Sequence, residues 1–243
     1  MIMPMAGRGS RFAATGELRP KPLIELDGLP FFVWATRGVL RAAPSVRLIY
    51  VVLEEHEAQF SITEVIHRHF PQAEVIAIPE VTAGALETAL MGTRRSDDDT
   101  PMVINDCDHA FGYGSLPEAL KSLEEGADGF LSHFRSSSPN FSFARYSAAG
   151  DLVETAEKRV ISDRAIAGIY GFRSAGVLRM AAARYAQNCP YPELFVSGVY
   201  NELVAAGSVV KGFDLDFHLP FGTPEEVAAL MASGAARRQL VDV

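Results

Sequence analysis

The chain has 243 residues, of which 48% are hydrophobic and 21% charged, enough to bury a core without staples. Its net charge of -8, from 30 acidic and 22 basic residues, excludes broad binding to a nucleic-acid backbone, which needs a basic face. Two cysteines, Cys107 and Cys189, give no disulfide framework and suit a reducing compartment. No apolar run reaches the roughly 18 residues of a membrane span, and "MIMPM" carries no charged leader. The expectation is a cytoplasmic protein acting on small molecules, without nucleic-acid or membrane partners; a homo-oligomer is compatible with it.

Residues 1–5 are an apolar run closed by glycine and read as a buried strand. Apolar residues at helical spacing predict a helix over 29–43, stopped by Pro44. "VRLIYVVL" (46–53) is β-branched and continuous, as a central parallel strand is. A helix over 57–70, a strand at 73–78, a helix over 84–95 and the strand "PMVIND" (101–106) follow. Strand and helix alternate, which predicts βαβ units and a parallel sheet. After a helix at 116–125 the pattern changes. Strand-like runs at 129–134, 141–146, 151–156 and 165–172 are joined by short polar turns, with Gly150–Asp151 as a hairpin turn. Helices near 175–187 and 193–206, a strand over 208–217 and a helix from about Pro224 complete the chain. The expected fold is α/β: a Rossmann-like, GT-A-type three-layer sandwich. Its mostly parallel central sheet gains antiparallel strands in the second half. It forms a single domain over 1–243, whose pattern changes between a first half (1–112) and a second half (113–243).

Ligands of such sheets bind at the carboxyl ends of the strands. Three segments fall there: 5–12, 79–84 and 105–109. In "AGRGSRF", Gly7 and Gly9 let the backbone turn and approach a ligand, successive amides form an anion nest, and Arg8 and Arg11 add charge. An ordinary βα turn with surface arginines is the alternative for this segment alone. In "RPKPLIEL", Pro20 and Pro22 restrict the backbone around Lys21 to extended geometry and so aim its ammonium. Asp106 and Asp108 follow an apolar strand two residues apart, a spacing that lets both carboxylates share a cation; capping aspartates are the alternative. His67 and His69 make no metal-spaced set with His109.

"PMAGRGSRF…RPKPLIELDGLPFFVWA" resembles the signature of the nucleotidyltransferases that activate sugar 1-phosphates, the glucose-1-phosphate thymidylyl-, uridylyl- and cytidylyltransferases and their relatives. The resemblance runs through nearly the whole chain. It implies that Ala6 and Gly7 lie against the base and ribose, and that Gly9, Ser10 and Arg11 cradle a triphosphate. Arg8 stands where many members have glycine. Arg11, Lys21 and Asp108 are then the catalytic set, with Asp108 and then Asp106 as ligands of Mg²⁺. "PEVTAGALETAL" resembles the base-recognition loop, with Glu80, Thr82 and Gly84 at the nucleotide; Thr82 also suits a helix cap. "ETAEKRVISDRAIAGIYGF" resembles the acceptor segment, in which Glu157 takes hydroxyls, Lys158 takes phosphate and Gly168 packs beside them. Arg159 replaces a usual proline and offers a second cation.

One position departs from the family. Many members carry a second metal-binding aspartate just before the closing helix; here "DFHLPFGTPEEV" puts Pro220 there, with Asp214 and Asp216 as substitutes within reach. The implied activity couples an NTP to a phosphorylated acceptor, releasing pyrophosphate. Two other readings stay open. "DCD" also fits the DxD of glycosyltransferases that use sugar nucleotides, and the missing aspartate fits a nucleotide-binding homologue with impaired catalysis.

Overall fold

A computed structural model describes residues 1–241 and 243. The strands, in chain order, are β1 (Ile2–Pro4), β2 (Glu25–Leu26), β3 (Leu29–Pro30), β4 (Ile49–Leu53), β5 (Glu74–Ile78), β6 (Met102–Asn105), β7 (His109–Phe111), β8 (Gly129–Arg135), β9 (Ser142–Tyr146), β10 (Leu152–Glu157), β11 (Arg164–Phe172), β12 (Val210–Asp214) and β13 (His218–Pro220). Nine of them form one sheet. Its main path runs β10-β9-β11-β6-β1-β4-β5, with β8 between β11 and β12. The β1–β4, β1–β6 and β4–β5 pairs are parallel. Strand β11 enters antiparallel to β6 and so joins the two halves of the chain into one sheet.

The alternation of side chains along the strands builds a core on each face of this sheet. Ile2, Ile49, Val51, Leu53 and Ile104 face one core. Met3, Tyr50, Val52 and Val103 face the other. Both faces are covered by helices, which is why the strands read as continuous apolar runs rather than alternating ones. A third cluster around Phe12, Phe31, Trp34 and Phe221 packs the short helix Ser10–Ala13 against the segment after β13. No helix among the described residues is long and apolar enough to cross a membrane.

The expected architecture is present, with four local differences. The helix expected over 57–70 is two helices, Glu54–Phe60 and Ile62–His69, broken at Ser61 with φ 49. There the Glu57 carboxylate accepts from the Thr63 amide at 2.9 Å and caps the second helix. The helix expected from 193 begins at Val199, after a one-turn 3-10 helix at Val196–Gly198, because Leu194 is bonded to another loop on both its N–H and its carbonyl. The single strand expected over 208–217 is two. Strand β12 pairs parallel with β8, and β13 pairs antiparallel with β7, away from the main sheet. Lys21 is not extended: it opens a one-turn 3-10 helix, closed by Leu23 N donating to Pro20 O at 2.8 Å. Pro22 lies inside that turn, where its missing N–H leaves no bond unmade.

Strand β11 carries a bulge that shapes the site. Between Ile166 and Tyr170 it advances four residues while β8 advances two, from His133 to Leu131. Gly168 sits in the bulge with φ +79, and a Cβ there would lie 2.7 Å from Asp106 Oδ2. Only glycine fits both the left-handed backbone and the carboxylate beside it.

Candidate functional site

Two adjoining cavities open at the carboxyl ends of β1 and β6. The larger, about 570 Å³, is floored by the loop after β1, including Ala6, Gly7, Arg8, Gly9 and Ser10. Lys21 and the loop 81–85 line its sides. The smaller, about 270 Å³, lies toward the second half and is lined by Arg11, Ser142, Glu157, Lys158 and Gly168 among others. Asp106 and Asp108 line both, so the two cavities form one cleft with the acidic pair at its waist.

The loop after β1 is open to an anion. The amides of Arg8, Gly9 and Ser10 bond to no group among the described residues. Gly9 has φ 58, and a Cβ on it would come 3.1 Å from Lys21 Cβ. Its absence lets the loop lie close over the lysine. The resulting concave row of free N–H groups is an anion nest.

Lys21 Nζ donates to Asp108 Oδ2 at 2.9 Å, with the two side chains 28% and 25% exposed. Burial disfavours both charges, but the pair wins. Lys21 is raised above its ordinary value by Asp108, and Asp108 is held below the carboxylate range by the Lys21 ammonium and its hydrogen bond. Asp106 goes the other way, up to about 8, because it is buried and Asp108 beside it is already charged. The two aspartates therefore have split roles: Asp108 ionised, Asp106 largely protonated at neutral pH.

Among the described residues no group of three or more His, Cys, Asp or Glu side chains is arranged to hold a metal. The donor set fits an ion of another kind, one that takes one or two carboxylates from protein and the rest from phosphates and water. Asp106 faces the vacant Cβ position of Gly168, and Asp108 Oδ2 faces that of Gly222, so each carboxylate keeps free space beside it.

In the smaller cavity, Glu157 accepts from the hydroxyls of Ser142 and Ser197, the latter at 3.3 Å, and its own amide donates to Tyr191 Oη at 3.1 Å. Lys158 has φ 51, a left-handed conformation rare for a side chain of this size, and its Nζ stands 5.2 Å over the Phe195 ring. The segment 189–196, which carries Tyr191 and Phe195, also reaches the larger cavity. Leu194 N donates to Ala83 O at 2.9 Å, and Leu86 N to Leu194 O at 3.0 Å. A Cβ on Gly84 would lie 2.5 Å from that Leu194 oxygen.

The structure thus brings Ala6, Gly7, Arg8, Gly9, Ser10, Lys21, Gly84, Asp106 and Asp108 to one cavity and Arg11, Glu157, Lys158 and Gly168 to the next. Arg11 lines the smaller cavity and not the larger one. Thr82 also lines the larger cavity, but its hydroxyl is already used, donating to Gly84 O at 2.8 Å and meeting Thr88 Oγ1 at 2.6 Å. It shapes the loop. Glu80 lines a side groove with Arg8 and Glu55. Arg159 pairs with Glu154 at 3.7 Å and does not line the cleft. Neither Asp214 nor Asp216 substitutes for the missing aspartate: Asp214 pairs with Arg135, and Asp216 accepts from the Gly114 amide at 2.9 Å.

Sequence reasoning missed Glu193 and Glu226. Glu193 lines both cavities. Glu226 enters the cleft near Asp108 from the closing helix, where it forms a capping box with Thr223, and its carboxyl is raised by burial and then by Asp108. The T-P-E-E pattern signals that box, yet nothing local signals that its glutamate faces the site.

No family model matches the sequence, and no curated protein matches it. Solved structures do. The chain is similar to the nucleoside-diphosphate-sugar pyrophosphorylase from Vibrio cholerae RC9, with TM-score 0.84 and 23% identity over 96% of this chain and 99% of that one. It is similar to the inositol-1-phosphate CTP transferase from T. maritima, with TM-score 0.73 and 18% identity over 95% and 94%. It is also similar to the UDP-glucose pyrophosphorylase from Acinetobacter baumanii, with TM-score 0.71 and 13% identity over 99% and 97%. The Rossmann-like fold of this chain is the fold these proteins share.

Proposed function

We propose that this chain transfers a nucleotidyl group from an NTP to a phosphorylated acceptor, a sugar 1-phosphate, giving an NDP-sugar and pyrophosphate. The observation that carries the reading is the Lys21–Asp108 pair at the waist of a cleft with a free-amide nest on one side and the Glu157–Lys158 pair on the other. The solved structures named above supply the second support, since their names describe this class of reaction on the same fold.

In this reading the base and ribose lie over Ala6, Gly7 and Arg8, against the loop held by Thr82 and Gly84. The triphosphate rests on the amides of Gly9 and Ser10. Lys21 and Arg11 balance its charge. Lys158 holds the acceptor phosphate, and Glu157 takes a hydroxyl of the acceptor. An oxygen of the acceptor phosphate attacks the α-phosphorus, the bond from that phosphorus to the bridging oxygen of the β-phosphate breaks, and pyrophosphate leaves. The nucleophile is already an anion, so the protein moves no proton. Its work is in-line positioning and charge neutralisation. Asp108 and Asp106 would hold a divalent cation, Mg²⁺, which when bound supplies further positive charge at the phosphates. The same reading takes the chain as one domain over 1–243, with nucleotide and acceptor halves at 1–112 and 113–243, working in the cytoplasm on small molecules.

The test is a panel of the four NTPs with sugar 1-phosphates and Mg²⁺, following pyrophosphate and the mass of the nucleotide product. The expected outcome is equimolar pyrophosphate and NDP-sugar. Transfer of sugar from an NDP-sugar, with no pyrophosphate from any NTP, would replace this reading with a glycosyltransferase.

A further inference from the structure

Lys21 and Lys121 each pair with a carboxylate at 2.9 Å, Asp108 and Glu125 respectively. Lys158 does not. Among the described residues its ammonium has no ion-pair or hydrogen-bond partner, and it stands 5.2 Å over the ring of Phe195. The carboxylate beside it in the chain, Glu157, is taken up by the hydroxyls of Ser142 and Ser197. The backbone holds this arrangement. Lys158 keeps φ 51, a strained conformation for a residue with a side chain, and its N–H donates to Phe141 O at 3.1 Å. Strain kept at one residue of a cleft points to a use for the side chain it aims.

Phe195 is fixed from the other side. Its neighbour Leu194 bonds through its N–H to Ala83 and through its carbonyl to Leu86. The Tyr191 ring meets the Phe195 ring edge-on, with centroids 5.8 Å apart at 80°. Phe195 is half-buried, Lys158 is exposed, and both line the smaller cavity. A ring face attracts a cation without taking its hydrogens, so all three N–H groups of the ammonium stay available. A carboxylate in the same place would compete with an arriving phosphate. A lysine with no partner would instead lose rotamer freedom when the phosphate bound. The ring orders the cation and leaves it uncommitted.

We propose that Phe195 is a positioning residue, whose ring holds the Lys158 ammonium ready for the phosphate of the acceptor. This rests on the nucleotidyl-transfer reading and adds a residue to its acceptor site. Phe195 acts through Lys158, so its loss falls on acceptor binding: about fivefold in acceptor KM, the size of one partly exposed cation–ring contact. The KM for NTP stays, because Leu194 meets the loop 83–86 through its backbone, which a change in the Phe195 side chain leaves in place.

The experiment uses the full chain with Mg²⁺, the preferred NTP and the sugar 1-phosphate that turns over fastest in the panel above. Phe195→Leu should raise the acceptor KM about fivefold, with kcat and the NTP KM within about twofold of wild type, and Phe195→Tyr should restore it. Mono-, di- and trifluorinated phenylalanine at 195 keep the ring nearly the same size and drain charge from its face; the acceptor KM should rise step by step along that series. In a Lys158→Met background, Phe195→Leu should cost nothing further in acceptor KM. Melting curves check folding, and the fluorinated series stands alone if Phe195→Leu does not fold. An acceptor KM indifferent to fluorination, or a Phe195→Leu penalty that persists in Lys158→Met, would overturn the proposal and leave the ring as cavity wall, while pyrophosphate release keeps nucleotidyl transfer standing. No pyrophosphate from any acceptor would remove both.

Discussion

Replacing Lys21 with methionine keeps most of the volume of the side chain and removes its charge. At 2.9 Å from Asp108 Oδ2, the Coulomb attraction is about 6 kcal/mol at an effective dielectric near 20. Desolvation of two side chains that are only about one-quarter exposed offsets much of this, so the pair itself stabilises the fold modestly. The variant loses more than the pair is worth, because Asp108 is stranded beside Asp106 with its counter-charge gone. About 2–3 kcal/mol of stability should go, toward the lower end of the cost of orphaning a buried charge. The double variant Lys21→Met/Asp108→Asn should recover most of it. Turnover should behave differently. Loss of one preorganised positive group costs roughly 10²–10³ in kcat, and the double variant should not regain it. Pyrophosphate release and melting curves on the three proteins separate the two effects. Turnover of Lys21→Met within about threefold of wild type would refute a catalytic role for the ammonium.

The remaining predictions concern the other parts of the cleft. Asp106 titrates near 8 in the fold against 3.8 unfolded, so the folded state binds more protons between those values and stability falls as pH rises through them. Asp106→Asn removes that term: it should gain stability over wild type progressively from pH 4 to 8 by melting temperature, and a variant less stable than wild type at pH 8.5 would contradict this assignment, the pH values being approximate settings. Gly84→Ala drives a methyl into the Leu194 backbone; a loss of about 1–3 kcal/mol in chemical denaturation is expected, with weaker NTP binding, and an unchanged midpoint would show the two loops yield freely. Glu157→Gln should raise the acceptor KM about tenfold and leave the NTP KM unchanged; an equal rise in both would move Glu157 out of the acceptor role.

The sequence is most legible where the chemistry is local. Glycines flanking Arg8, a lysine between two prolines and two aspartates after an apolar strand are each short patterns; the first two lie in the connection after β1 and the third directly follows β6. The alternation of strand and helix placed those connections at one end. What was hidden depends on long-range packing. Ser61 breaks a helix through a left-handed backbone that serine rarely signals. Residues 193–195 are held out of the helix because Leu194 bonds to Ala83 and Leu86, more than a hundred positions away. The hydroxyl of Thr82 is spent on Gly84 and on Thr88, six residues ahead in the following helix, so a residue type that suits base reading holds the loop instead. Strand β13 leaves the main sheet to pair with β7, and with it the expected substitutes for the late aspartate turn away, while Glu226 swings in. No motif encodes that exchange; it follows from the ribbon that β7 and β13 form.

A crystal structure with Mg²⁺ and a non-hydrolysable NTP analogue tests the central claim most directly. The account predicts phosphate oxygens about 3 Å from the Gly9 amide and from Lys21 Nζ, with Asp108 on the same phosphates through the cation. A nucleotide bound away from the loop after β1, or bound there with its phosphates turned from Lys21 and Asp108, would contradict it.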